Sequence, residues 1–197
     1  MPVTALDPRT ALIVVDLQAG IAGSPTAPHA AADVVARSAR LADAFRAQGL
    51  PVVLVRVTAR PDGADAVPGR TDASASGAAP LARPAGWDVI VDELGGPTGQ
   101  DGDIVVTKRN WGAFYGTDLD LQLRRRGVTQ VVITGIATSI GVESTARQAA
   151  EHGYHVTIAT DAVADRSAAD HEHAVTRIFP RLAQTGTTEQ ILALLTA

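Results

Sequence analysis

Cysteine is absent from all 197 residues. That excludes disulfides, zinc–thiolate centres and a thiol nucleophile before any pattern is read. Aromatic residues make up only 4% of the chain, and lysine plus arginine (17) fall short of aspartate plus glutamate (21). The resulting formal net charge of −4 offers no basic face for nucleic acid and mainly serves solubility. No apolar run approaches the ~18 residues that a membrane-spanning helix needs. The opening "MPVTALDPRT" has neither the basic start nor the apolar run of a signal peptide. The expectation is a cytoplasmic protein with no nucleic-acid or membrane partner.

What is present is ordinary globular composition, 46% hydrophobic and 19% charged, read as one domain over residues 1–197. "TALIVVDLQ" (Thr10–Gln18) is β-branched and apolar on both faces, as a strand inside a parallel sheet must be. "PVVLVRVTA" (Pro51–Ala59), "DIVVTKRN" (Asp103–Asn110), "QVVITG" (Gln130–Gly135) and "HVTIATDA" (His155–Ala162) read the same way. Between the first two, Val34, Ser38, Leu41 and Phe45 recur at helical spacing, with Gly49 and Pro51 as the stop. Further helices are expected at "DLDLQLRRRG", "GVESTARQAAEHG", "AADHEHAVTRIF" and "TTEQILALL", the last capped by Thr187 or Thr188. This alternation predicts an α/β fold: a three-layer α/β/α sandwich around a mainly parallel, roughly six-stranded sheet. The irregular stretch Arg60–Gly86, rich in Ala, Gly, Pro and Asp, is an excursion of the kind that carries binding or oligomer contacts.

Open parallel sheets bind ligands at the carboxyl ends of their strands. Here those ends carry Asp16, Lys108 and the turn "GIATSIG". A buried carboxylate and ammonium fix each other's charge, and proton-transfer sites are built from such coupled groups.

Three blocks in this order, "ALIVVDLQ", "VVTKRNWGAFYGTDLDLQLRRRGV" and "VVITGIATSIGVESTARQAAEHGYHVTIATDAVAD", resemble the isochorismatase-like hydrolase superfamily, from Thr10 to about Leu195. The resemblance implies an active site of Asp, Lys and, in most members, Cys. Asp16 and Lys108 match the first two, and the cysteine falls at Gly141. In the cysteine members a thiolate attacks an amide carbonyl; here that route is closed. Ser139 and Ser144 lie off the apex with no neighbouring histidine in sequence. Ser144 is read as back-bonding to its helix, and Ser139 as serving the turn or the substrate.

Isochorismatases proper also carry glycine at the apex. In them an aspartic acid protonates an enol ether, an oxocarbenium ion forms, and water adds to release pyruvate. By that analogy Asp16 is the acid, and Gly141 lets substrate or water approach the backbone. The resemblance further implies a cis Ile136–Ala137 bond, with the N–H groups of Ala137 and Gly141 facing an oxyanion or carboxylate. Trp111 and Tyr115 would form an aromatic wall. Thr138 and Ser139 stand where isochorismatases have "AH", which makes Thr138 a substrate contact. Arg60 matches the family's strand-two substrate residue, and Arg70 or Arg83 could supply a loop cation. Nicotinamidases bind a metal through histidines after strand two. "VTARPDGADAVPGRTD" has none, so no metal and no cofactor is expected. His171 and His173 are expected at the surface. The partners implied are a small-molecule substrate and further copies of the chain, as a homodimer or homotetramer.

The leading reading is thus a cofactor-independent hydrolase of a small carboxylated or carbonyl substrate. "VESTARQAA" looks more like the cysteine hydrolases, which leaves two alternatives. One is a non-catalytic relative that binds a small acid or a protein; the other is an amidase using activated water or a serine.

Overall fold

The computed structural model describes residues 2–60, 62, 65, 71, 72 and 83–196. Most of the Arg60–Gly86 excursion, Arg70 included, lies outside the described residues. The first strand, β1 (Thr10–Val15), is buried along its whole length. It is flanked by β2 (Val52–Val57) and β4 (Gln130–Ile136), in register Val15↔Val55 and Val15↔Gly135. With β3 (Ile104–Lys108), β5 (His155–Ala164) and β6 (Gln184–Gly186) the sheet has the order β3-β2-β1-β4-β5-β6. Every pairing in it is parallel.

Alternate side chains of each strand feed two separate cores. Leu12, Val14, Leu54 and Val132 pack with Val34, Leu41 and Phe45 of α2 (Ala31–Ala47) and Ile191 of α6 (Thr188–Leu195). On the other face Ala11, Ile13, Val15, Val55 and Ile133 pack with Leu119 and Leu123 of α3 (Leu119–Arg125) and with Ala146 and Ala149 of α4 (Glu143–Glu151). A short helix, α1 (Ala19–Ala22), precedes α2, and α5 (Ala168–His173) follows β5. Two faces of one sheet, each covered by helices, make the three layers. Among the described residues no helix is long and apolar enough to cross a membrane.

Three details depart from the sequence-based expectation. β1 ends at Val15 rather than Gln18, because Asp16 takes φ 56° and turns the chain out of the sheet. The helix expected over "AADHEHAVTRIF" is α5 followed by a wide turn at Ala174–Ile178 and a tight one at Phe179–Arg181, where Pro180 supplies no N–H. β6, "QTG", has no apolar run to announce it. Thr187, one of the two caps considered for α6, forms a reciprocal capping box with Gln190.

The chain builds the sheet outward on one side through β2 and β3, then returns to the other side of β1 to add β4, β5 and β6. That reversal opens a crevice between the carboxyl ends of β1 and β4, where side chains from several strands can meet.

Candidate active site

Asp16 leaves β1 at this crevice and is only 4% exposed. Its Oδ2 accepts a 2.7 Å hydrogen bond from Lys108 Nζ, at the end of β3. The lysine is 2% exposed. Its ammonium also donates to the main-chain carbonyls of Asn110 (3.2 Å) and Trp111 (2.7 Å), so its three N–H bonds are all used. The second carboxyl oxygen, Asp16 Oδ1, is buried and has no hydrogen-bond partner among the described residues. Burial pushes the Asp16 carboxyl up to about 6 and outweighs the opposing pull of the Lys108 charge. A carboxyl in that range can hold a proton near neutral pH and release it during a reaction.

Gly141 closes over this pair. A Cβ built there would lie 3.0 Å from Asp16 Oδ2, 3.1 Å from Val15 Cγ1 and 3.6 Å from Lys108 Nζ. The turn that carries it, Thr138–Val142, is wider than an α-helical turn. Ile140 N–H and Val142 N–H both donate to the Ala137 carbonyl, at 3.2 and 3.1 Å, while Gly141 between them does not. Single turns of this width recur at functional sites. The turn follows a cis Ile136–Ala137 bond, as anticipated. Just before it, Gly135 takes φ 126° and its missing Cβ would fall 2.0 Å from the Val15 carbonyl oxygen. Only glycine lets β4 approach β1 this closely.

Asp16, Lys108 and Gly141 therefore meet at one point, with Ala137 and Thr138 on the adjoining backbone. The indole of Trp111 (69% exposed) and the phenol of Tyr115 (67% exposed) stand out into solvent on the segment whose backbone receives Lys108. Arg60 is exposed and paired at 2.7 Å with Asp62. Arg83 lies over the ring of Trp87, 4.6 Å from its centroid. Thr138 is fully buried, and its Oγ1 is 2.9 Å from His171 Nδ1. His171 is thus not a surface residue: it is 5% exposed, on the inner side of α5, whereas His173 is exposed. Spacing along a helix separated the two histidines onto different faces but did not say which face was covered.

Two further residues escaped the sequence reading. Gln18, fully buried, donates from Nε2 to the carbonyls of Val57 (3.0 Å) and Trp87 (3.3 Å), and its Oε1 accepts from Val57 N–H (2.8 Å). It ties the end of β2 to the chain around Trp87. Asp165, 3% exposed at the end of β5, accepts from both the N–H (2.7 Å) and the hydroxyl (2.8 Å) of Ser139 through Oδ2. The available signal was position, since both lie just past strand ends on the ligand-binding edge. Among the described residues no group of three or more histidine, cysteine or carboxylate side chains is placed to hold a metal ion.

Known proteins share this sequence pattern and this fold. The chain is 47% identical over 183 residues to the isochorismatase family protein YecD of Escherichia coli O157:H7, spanning 93% of this chain and 94% of the relative. It is 38% identical over 184 residues to the ureidoacrylate amidohydrolase RutB of Methylobacterium radiotolerans, spanning 80% of this chain and 68% of that protein. The solved structure of an isochorismatase family protein from Burkholderia thailandensis superposes with a TM-score of 0.90 at 47% identity, covering 98% of each chain. The isochorismatase domain model matches residues 10–190. By fold and by sequence, the chain belongs to the isochorismatase family of hydrolases.

Proposed function

We propose that this protein hydrolyses a small carboxylated or carbonyl substrate without a cofactor and without a covalent intermediate, with Asp16 as the proton donor. The observation that carries the reading is Asp16 Oδ1. It is a buried carboxyl oxygen with no hydrogen-bond partner among the described residues, on a group pushed up to about 6, beneath a turn whose nearest residue, Gly141, has no side chain. Cleavage of the enol ether of isochorismate fits best. Asp16 hands its proton to the terminal vinyl carbon, the ether carbon becomes an oxocarbenium ion, and water adds there. The added water returns a proton to the carboxylate, the hemiketal collapses, and pyruvate and the ring alcohol separate. Lys108 fixes the Asp16 carboxyl in place, and Gly141 leaves room for substrate or water against the backbone. The Ala137 and Thr138 segment, Trp111 and Tyr115 border the substrate, and Arg60 would meet a substrate carboxylate by exchanging its Asp62 partner.

Pyruvate release from isochorismate tests this. Turnover in the native protein should fall at least ~100-fold in Asp16→Ala, as expected for loss of a general acid. No turnover on a panel of enol ethers and amides, with ligand binding unchanged in Asp16→Ala, would favour the non-catalytic binder instead. A second reading, amide hydrolysis by activated water, draws on the likeness to a ureidoacrylate amidohydrolase. There Asp16 would act as base, so amide turnover would rise with pH where enol-ether turnover falls. The same proposal includes a cytoplasmic homodimer or homotetramer, in which a neighbouring copy would cover the exposed Trp111 and Tyr115 side chains.

A further inference from the structure

The Thr138–Val142 turn is held by bonds of its own and by contacts from outside it. Within it, Ile140 N–H and Val142 N–H share the Ala137 carbonyl, Glu143 N–H donates to the Thr138 and Ile140 carbonyls, and Thr145 Oγ1 donates to the Gly141 carbonyl at 2.7 Å. Turns this wide are rare, so the contacts that surround this one matter. Two such contacts come from outside. Asp165 Oδ2 takes both donors of Ser139, and His171 Nδ1 meets the Thr138 hydroxyl.

Both tethers are themselves anchored. The Asp165 main chain exchanges two hydrogen bonds with Ala27 (2.7 and 2.8 Å), and its Oδ1 accepts from Arg166 N–H at 2.7 Å. His171 sits in the last turn of α5, a helix capped by Ser167, with its ring edge-on to His29 at 5.8 Å. Among the described residues no hydrogen bond or ion pair joins Asp165 or His171 to Asp16 or Lys108; the bonds of both go to the turn, and the Asp16 shift itself comes from burial and Lys108.

We propose that Asp165 and His171 are positioning residues that hold the Thr138–Val142 turn down over Asp16, shielding its carboxyl from water and keeping Gly141 against it. Loss of the tethers lets the turn rise and water reach Asp16. The carboxyl then loses the burial that favours its protonated form, while Lys108 on β3, the charged group in contact with it, continues to favour the ionised form. The charged and titratable groups around His171 are His29, Asp165 and Glu172; burial, first, and then His29 hold its protonation down, so the tether works with a neutral imidazole.

The catalytic consequence rests on the enol-ether reading above, but the decisive measurement does not. The Asp16 carboxyl is titrated by carbon-13 NMR in the native protein, in Asp165→Ala, in His171→Leu and in the double variant. The midpoint should move toward lower pH by about one unit, a tenfold loss of proton affinity. Asp165→Asn and His171→Asn, which keep a polar atom facing Ser139 or Thr138, should restore much of it. In parallel, kcat should fall about 10–100-fold, the size expected when a reacting group is misplaced by about an ångström. The alkaline limb of the activity profile should shift with the carboxyl. A moved midpoint in a protein with no enol-ether turnover would uphold the tethers and defeat the reaction. An unmoved midpoint in folded variants would overturn the tethers whatever the activity. Should the buried substitutions unfold the chain, Ser139→Ala combined with Thr138→Val removes the same bonds from the turn side, and an unmoved midpoint there overturns the proposal equally.

Discussion

Asp16 holds more proton affinity in the folded chain than a free aspartate, and that difference is also a stability term. Its carboxyl rises from 3.8 to about 6 on folding. The native state therefore binds the proton more tightly than the unfolded chain. The stabilisation is fully present below pH 3.8 and is lost as pH rises through about 6. Two units correspond to about 3 kcal/mol. The stability of native protein relative to Asp16→Asn, measured by urea unfolding, should fall by roughly that amount between pH 4 and 7. Parallel curves would mean that the carboxyl is hydrated. His171, held low, works in the opposite direction: its contribution is lost as pH falls below 6.5, equally in both proteins. At Gly141, an added methyl has contacts of 3.0 and 3.1 Å to absorb. Gly141→Ala should fold with a loss of about 1–2 kcal/mol. Its activity should fall at least ~10-fold, because the atom that must yield is the Asp16 oxygen itself. Of the site, Asp16, Lys108 and Gly141 were legible because each ends or follows a strand with an unmistakable apolar run. Asp165 and Gln18 were not, since a polar residue beyond a strand end has no pattern of its own until the fold supplies its partner.

The strands and helices that were readable share one property: their apolar spacing matches the face they bury. α2 shows it plainly, with Val34, Ser38, Leu41 and Phe45 all buried. β6 and the split of α5 were invisible for the opposite reason, because a three-residue edge strand and a wide turn are defined by hydrogen bonding and not by side-chain period. Two substitutions test what holds individual elements. Gly135→Ala places a methyl 2.0 Å from a carbonyl oxygen of the neighbouring strand, which cannot swing aside. It should cost roughly 3 kcal/mol or more and lower the thermal midpoint sharply. Thr187→Ala removes one half of the α6 capping box and should cost about 1 kcal/mol with no change in activity.

Across the whole molecule, the crevice position follows from strand order alone, which is why the carboxyl edge could be chosen as the site before any side chain was placed. The arrangement of the exposed aromatics is a separate matter. Trp111 and Tyr115 together leave large rings in water beside the crevice. If further copies cover them, the Trp111→Ala, Tyr115→Ala double variant should sediment at lower mass. If they contact substrate only, mass stays constant and KM rises.

The strand order has one further result. β1 is synthesised first, yet it lies between β2 and β4, and its pairing with β4 joins Thr10 to Gln130. While the ribosome is still producing the middle of the chain, the innermost strand has one side unsatisfied and available to any other nascent chain. Long-range parallel pairing of this kind is slow to form. Fragments released before residue 130 should accumulate as aggregates bound by chaperones, whereas the full chain escapes that fate once its later strands arrive.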